Sequence, residues 1–172
     1  MDNFHKYNKI RPLGHDDNKH IFEYGEDDIV LQEKIDGANF RFIIRNGKII
    51  FGSRNQQLTS DEGVDSNVEK SFARCIEYVR ERVNAQTPEY LKAMEQFIFY
   101  GESCHSHSLS YDWEKIPPFL GFDMFDLKDN VYLHYSVAGN IFHEMNLPFV
   151  PIIWSGKVKD LPKFLESQKR KL

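Results

Sequence analysis

The feature that most constrains the fold is an Asn-Gly pair between two short apolar runs. Residues 38–45 form the first run and residues 48–52 the second. Asn46 and Gly47 tolerate the positive φ angles that the central positions of a tight hairpin turn require. We therefore predict two antiparallel strands joined by a two-residue turn, with every second residue from Phe40 onward on an apolar face.

The remaining segments add strands and helices without a regular strand-helix alternation. Apolar runs predict strands over 28–35, 97–102, 119–127 and 131–135, with an extended piece at 149–154. Helical patterns predict one helix after the capping box of Ser66 and Glu69, one opened by Thr87-Pro88, and others at 136–145 and 161–171. Residues 52–65 are predicted to be a loop. The predicted fold class is α+β, with largely antiparallel sheets and flanking helices.

Bulk composition fits one ordinary globular domain over 1–172 but does not identify a partner. The chain is 41% hydrophobic and 28% charged with a formal charge of −4, so its overall charge neither supports nor excludes nucleic acid. Cys75 and Cys104 make no disulfide framework, and Cys75 lies on the apolar stripe of a predicted helix. The chain shows no signal peptide and no apolar run of about 20 residues, so we expect a cytoplasmic protein without a membrane partner.

The histidines do not form a convincing metal site. His5, His15 and His20 lack ligand-like spacing and are predicted to lie on the surface. Cys104-His105-Ser106-His107 brings two ligand types close together in a predicted loop, but no second cluster accompanies them. We therefore predict no metal-ligating residues.

Polar side chains stand at the ends of three apolar runs. They are Lys34, Glu102 and Asp126, and with Asn39 and Arg54 on neighbouring segments they predict a shared cleft. A lysine amine at its ordinary pKa of about 10.4 is almost entirely protonated at neutral pH, so a nucleophilic lysine needs a nearby cation, a divalent metal or desolvation. Arg54 is a candidate cation that also suits bidentate binding of a phosphate. The ring of Phe125 is suited to lie against a nucleobase.

Four segments in order resemble the motifs of a known superfamily. Residues 33–40, Glu-Lys-Ile-Asp-Gly-Ala-Asn-Phe, resemble the first motif of the covalent nucleotidyltransferases, which include ATP-dependent DNA and RNA ligases and mRNA-capping guanylyltransferases. Asparagine at position 39, five residues after the lysine, resembles the branch of RNA ligases that seals nicked double-stranded RNA. DNA ligases and capping enzymes usually have arginine at this position. Three later segments resemble the superfamily's following motifs in the same order. They are Phe51-Gly52-Ser53-Arg54, Phe99-Tyr100-Gly101-Glu102 and Phe122-Asp123-Met124-Phe125-Asp126. The resemblance covers about residues 29 to 154.

The resemblance implies an ATP-grasp-like nucleotidyltransferase fold and an ATP-dependent reaction. Lys34 would attack the α-phosphate of ATP, with Mg²⁺ or Mn²⁺ bound, and the lysyl-adenylate would then pass to a 5′-phosphate RNA end, preferably in nicked duplex RNA. Asn39 and Arg54 would contact ribose and phosphate, Glu102 the ribose hydroxyls, and Phe125 the adenine. The resemblance also implies that Glu33 and Ile35 line the nucleotide site and that Asp36 and Asp126 are catalytic carboxylates.

The chain departs from the superfamily pattern in its last part. The family has a strand containing Glu-Gly and then a pair of lysines that bind the α-phosphate, whereas Ser155-Gly156-Lys157 here leads into a predicted helix. The charge run Lys169-Arg170-Lys171 is interpreted as a solvated face. We therefore expect an adenylyltransferase domain that lacks a C-terminal segment or takes it from a partner chain. The alternatives are a DNA ligase or capping-type enzyme, and a nucleotide- or RNA-binding module with an incomplete active site.

Overall fold

The computed structural model describes residues 5–60, 63–64, 70–104, 112 and 114–169. In chain order its strands are β1 (Asp28–Gln32), β2 (Ala38–Arg45), β3 (Lys48–Ser53), β4 (Thr59–Ser60), β5 (Gly63–Val64), β6 (Phe97–Ser103), β7 (Phe119–Asp126), β8 (Val131–Tyr132) and β9 (Ile152–Lys157). The helices are α1 (Lys70–Asn84), α2 (Pro88–Met94), α3 (Tyr135–Glu144) and α4 (Leu161–Lys169), with 3-10 turns at Ile21–Glu23 and Val158–Asp160. The contacts divide the chain into two compact units. The first comprises the described residues of 1–7 and 34–150, and the second those of 8–33 and 151–172.

The predicted Asn-Gly hairpin is confirmed in the first unit. Asn46 and Gly47 have φ angles of 51° and 72°, as the turn requires. Strands β2 and β3 pair antiparallel, and Phe42 lies opposite Phe51. The hairpin forms one edge of a five-stranded sheet with the order β3-β2-β6-β7-β8, in which all neighbours are antiparallel.

One face of this sheet packs against helices and forms the main core. The rings of Phe42 and Phe99 stack on neighbouring strands, with centroids 4.5 Å apart. The apolar stripe of α1 is buried in the same cluster and includes Cys75, as predicted for a core residue. Burial also raises the pKa of the Cys75 thiol, which therefore stays protonated at neutral pH.

The opposite face of the sheet carries a smaller aromatic cluster that the N-terminal residues cover. Ile43, Tyr100 and Phe125 are buried there. The ring of His5 stacks on Phe125, with centroids 4.3 Å apart and planes 5° apart. The prediction that His5 is a surface residue is wrong. The spacing of the histidines in the sequence does not show whether an imidazole packs on an aromatic ring from a distant strand.

The second unit is built on the antiparallel pair of β1 and β9. Leu31 lies opposite Trp154, and the Trp154 ring stacks on Phe164 of α4 at 5.3 Å between centroids. Strand β1 ends at Gln32, three residues before the predicted end, and β9 begins later than the predicted extended piece at 149–154.

Other differences concern the connections. The predicted loop over 52–65 contains the short antiparallel pair of β4 and β5. The capping box of Ser66 and Glu69 lies outside the described residues. The start of α2 is confirmed, since the Thr87 side chain accepts a hydrogen bond from the backbone N–H of Tyr90 and Pro88 occupies the first turn. Within the described part of the chain, no helix has both the length and the apolar character of a membrane span.

Candidate active site

Lys34 lies on an irregular segment, residues 33–37, between β1 and β2. Its side chain is exposed, whereas that of Ile35 packs against a buried cluster that contains Cys104, Leu120 and Val150. An apolar anchor next to an exposed amine restrains the backbone that carries the amine while leaving its nitrogen accessible. The exposed amine can therefore reach a ligand from a restrained backbone position.

Gly37 lets this segment lie directly against β6. A Cβ atom at Gly37 would be 2.5 Å from the backbone oxygen of Ser103 and 3.0 Å from Cγ of Glu102. Real Cβ atoms are essentially never found closer than 3.0 Å to another atom, so any other residue would push the segment away. The glycine in the Lys-x-Asp-Gly sequence therefore sets the distance between the lysine segment and Glu102.

Asn39 and Glu102 face each other across the β2–β6 pair. Directly opposed residues of an antiparallel pair point to the same face, and here it is the face that also carries Tyr100. The Oδ1 atom of Asn39 is buried and has no hydrogen-bond partner among the described residues. A buried oxygen without a partner costs about 1–3 kcal/mol, so this atom is suited to accept a hydrogen bond from a ligand or to bind a cation.

Arg54 comes directly after β3, at the same end of the sheet. Its neighbour Ser53 lies opposite Phe40, which follows Asn39 on β2. The structure thus brings together five of the predicted residues at one end of the sheet, namely Lys34, Asp36, Asn39, Arg54 and Glu102.

Phe125 and Asp126 lie farther along β7. Phe125 is opposite Ile98, four residues before Glu102 on β6, which at about 3.3 Å per residue is a separation of about 13 Å. Asp126 is one residue farther away, and it points to the other face of the sheet because it is opposite Phe97, a residue of the main core. The structure does not bring these two predicted residues to Glu102.

Asp126 has a local role in the turn between β7 and β8. Its side chain is 6% exposed. Its Oδ1 atom accepts hydrogen bonds from the backbone N–H groups of Lys128, at 2.8 Å, and Asp129, at 3.2 Å. These contacts stabilise the turn that leads into β8, so the carboxylate is occupied by its own backbone.

A bulge in β7 places a second aromatic ring nearer to Glu102. Tyr100 is opposite Asp123 and Gly101 is opposite Gly121, so Phe122 is an extra residue in β7. Phe122 is half-buried and packs on the same cluster as Ile35. The sequence predicts no role for Phe122, because the Phe-x-x-Phe spacing offers two rings and the position of the bulge is not visible in the residue pattern.

Buried polar groups lie beneath the N-terminal residues, next to Phe122. Tyr7 Oη donates to Asp123 Oδ2 at 3.0 Å, and burial raises the pKa of Asp123 to about 6, although hydrogen bonds from Met124 N–H and Tyr7 partly offset this effect. The backbone oxygen of His5 accepts hydrogen bonds from Tyr100 Oη, at 2.6 Å, and Arg41 Nη1, at 3.0 Å. Burial raises the pKa of both tyrosines and lowers that of the Arg41 guanidinium.

Glu33 belongs to the second unit. Its side chain is exposed, and its backbone N–H donates to the Pro151 oxygen at 3.0 Å, which continues the pairing of β1 with β9.

The fold is that of solved ATP-dependent RNA ligases. An archaeal ATP-dependent RNA ligase superposes with a TM-score of 0.67 and 17% sequence identity, covering 98% of this chain and 42% of the ligase. A mutant Naegleria gruberi RNA ligase with ATP and Mn superposes with a TM-score of 0.63 and 17% identity, covering 89% of this chain and 44% of that protein. The predicted α+β nucleotidyltransferase fold is confirmed.

The family is equally clear from the sequence comparison. The model of the RNA ligase family matches residues 27–171, and the chain belongs to that family. It is also 33% identical over 76 residues to Protein Early 65 kDa of Autographa californica nuclear polyhedrosis virus, a match that covers 44% of this chain and 12% of the viral protein. The chain spans less than half the length of the solved ligases that it matches.

Proposed function

We propose that this chain is the adenylyltransferase domain of an ATP-dependent RNA ligase and that Lys34 is its nucleophile. The neutral Lys34 amine attacks the α-phosphorus of ATP, an N–P bond forms, the bond to pyrophosphate breaks, and the amine loses a proton. A 5′-phosphate oxygen of RNA then attacks the same phosphorus and releases Lys34. Finally, a 3′-hydroxyl attacks the activated 5′-phosphate and AMP leaves.

The observation that carries this proposal is the contact at Gly37. It holds the exposed Lys34 beside the Asn39–Glu102 pair, so that a nucleophile, a carboxylate and an unpaired amide oxygen share one end of the sheet. A polar turn without chemistry would need neither a glycine in van der Waals contact with a strand nor a buried oxygen without a partner.

The remaining groups at this end suit the other parts of ATP. We assign the ribose hydroxyls to Glu102 and a phosphate to Arg54, whose guanidinium favours bidentate contacts. Asn39 contacts ribose or phosphate, and Ile35 and Glu33 flank the nucleotide through their positions beside Lys34. Asp36, two residues after Lys34, is the proposed catalytic carboxylate on the same segment.

The adenine contact is better assigned to Phe122 than to Phe125. One face of Phe125 is covered by His5, and Phe125 lies about 13 Å along the sheet from Glu102. Leu120 is opposite Glu102, and Phe122 is only two residues farther along β7. Phe122 also packs in the same cluster as Ile35. One nucleotide can therefore reach Lys34, Glu102 and the Phe122 ring together. Phe125 belongs to the buried cluster against which Phe122 also packs, so its proposed role is structural support of the Phe122 ring.

The polar residues also fit a divalent cation bound with the triphosphate. The carboxylate of Glu102 and the unpaired Oδ1 of Asn39 are the oxygen donors that Mg²⁺ and Mn²⁺ accept. When bound, such an ion neutralises phosphate charge and favours the unprotonated lysine. RNA ends, with nicked duplex RNA preferred on the basis of Asn39, are the proposed substrate. A further segment or a partner chain is proposed to supply the Glu-Gly strand and the lysine pair.

Covalent labelling tests the assignment of Lys34. The chain is incubated with α-labelled ATP and Mg²⁺ or Mn²⁺ and denatured, and acid-labile label on the protein is counted. Label is expected on wild type and on Lys48→Ala, whose lysine is exposed on β3, but not on Lys34→Ala. Label that persists in Lys34→Ala would rule out this nucleophile.

Nucleotide preference in the labelling assay, nick sealing and calorimetry distinguish the alternatives. Preference for GTP would indicate a capping-type enzyme, and sealing of nicked DNA in place of nicked RNA would indicate a DNA ligase. Calorimetric ATP binding without any covalent label would indicate a nucleotide-binding module.

A further inference from the structure

Residues 5–7, here called the N-terminal strap, are fixed to the sheet face that carries Asn39 and Glu102. The backbone oxygen of His5 accepts two hydrogen bonds, from Arg41 and Tyr100. Lys6 Nζ donates to Asn55 Oδ1 at 2.7 Å. Both buried and exposed groups thus hold the strap in one register on the sheet.

Tyr7 is the strap residue that touches the bulge in β7. Its hydroxyl donates to Asp123, the residue after Phe122. Its ring meets the Phe122 ring edge to face, with centroids 4.9 Å apart and planes at 71°. The Tyr7 ring also packs on Tyr100 at 5.0 Å and on Tyr132 at 5.5 Å, so it has its own fixed orientation.

A bulge residue needs support of this kind. Phe122 has no residue directly opposite it on β6, so the usual cross-strand neighbour that restrains a side chain is missing. Tyr7 supplies a lateral contact to the ring through its own ring, and it holds the next residue of the bulge through Asp123. The backbone and the side chain of the bulge are therefore both restrained by one residue of the strap.

We propose that Tyr7 is a positioning residue for nucleotide binding: it fixes the Phe122 ring in the orientation in which the ring stacks on adenine. This inference rests on the proposed function, because it takes the adenine contact to be on Phe122. It follows that Tyr7 contributes to binding of the base and not to binding of the phosphates.

Comparing two ligands separates these contributions. ATP and inorganic tripolyphosphate, which lacks the nucleoside, are each titrated with Mg²⁺ into wild type, Tyr7→Ala, Tyr7→Phe and the control Tyr24→Ala. Tyr24 is a matched control because it is 60% exposed and lies in the other unit. Near-ultraviolet circular dichroism and thermal unfolding verify that each variant is folded.

In Tyr7→Ala the Kd for ATP is expected to rise roughly tenfold, since loss of a base–aromatic stack has effects of this order. The Kd for tripolyphosphate should stay within about twofold of wild type. Tyr7→Phe keeps the ring contact and should restore ATP binding to within about threefold, while Tyr24→Ala should match wild type.

Three results would overturn the inference. They are an unchanged Kd for ATP in Tyr7→Ala, an equal loss of affinity for both ligands, and a wild type that binds ATP no more tightly than tripolyphosphate. Failure of the proposed function looks different. If wild type forms no lysyl-adenylate but Tyr7→Ala still loses affinity for ATP alone, the covalent reaction is refuted and the role of Tyr7 stands.

Discussion

Substitution of Gly37 by alanine tests how the lysine segment is positioned. The new Cβ would be 2.5 Å from the Ser103 oxygen and must move at least 0.5 Å to reach 3.0 Å, or 0.9 Å to reach ordinary contact at 3.4 Å. The Ser103 atom cannot yield easily, because it is backbone of a fully buried residue that pairs with Ala38 on one neighbouring strand and with Phe119 on the other. The lysine segment is therefore the part that shifts.

Two consequences follow for Gly37→Ala. Overpacking of this kind lowers the free energy of unfolding by about 1–3 kcal/mol. A typical domain has about 5–15 kcal/mol, so the variant should remain folded. A displacement approaching 1 Å at a reacting group reduces rate by up to about 100-fold, so we expect the initial rate of lysyl-adenylate formation to fall at least about tenfold. Urea unfolding and the labelling assay measure the two effects.

Gly139→Ala is the matched control for that experiment. A Cβ at Gly139 would meet Phe149 at 3.5 Å, an ordinary contact, and the residue lies within α3. The control should label like wild type and gain up to about 1 kcal/mol from helix propensity. If Gly37→Ala labels at the wild-type rate, the close approach of the segment to β6 does not position Lys34 and the reasoning is refuted.

Two further predictions concern the carboxylates of β7. Asp126→Ala should lower the free energy of unfolding by about 1–3 kcal/mol, because the turn loses two hydrogen bonds to the Asp126 carboxylate, each contributing about 0.5–1.5 kcal/mol, and it should leave the labelling rate per folded molecule unchanged. A stable variant without labelling would instead make Asp126 catalytic. Asp123 has a folded-state pKa raised to about 6 from 3.8, so its contribution to stability is present below about pH 4 and is lost as pH rises through about 6. Between pH 4 and pH 7 the free energy of unfolding should therefore fall by about 2 kcal/mol less in Asp123→Asn than in wild type. Identical pH profiles of the two proteins would exclude a buried ionising Asp123.

The sequence predicts where the residues of the first two candidate-site segments lie in the fold, because local chemistry determines their placement. The Asn-Gly turn can adopt few conformations, and alternation along β2 then sends Asn39 and Phe40 to opposite faces. Glycine after Asp36 is needed for contact with β6, so the same tetrapeptide that suggests a nucleophile also specifies its packing.

The sequence could not predict which residues of β7 face the site. One extra residue at Phe122 shifts the register between β6 and β7, and no local pattern distinguishes a bulged strand from a regular one. Asp126 looks in sequence like a strand-end carboxylate comparable to Glu102. Only the register shows that it points to the other face and binds its own turn.

The same face of the sheet thus contains two environments with different requirements. At one end Asn39 keeps an unpaired oxygen beside Glu102 and the Lys34 segment, which disfavours the folded state but leaves a group ready for ligand. At the other end the hydroxyls of Tyr7 and Tyr100 donate hydrogen bonds to Asp123 and to the His5 backbone oxygen, which fixes the strap and the bulge. Phe122 lies between these ends, in contact with both the Ile35 cluster and Tyr7. The proposed division of labour, with phosphate and ribose at the open end and the base at the buried end, matches these environments, because phosphate needs accessible cations and a nucleobase needs a dry, rigid ring.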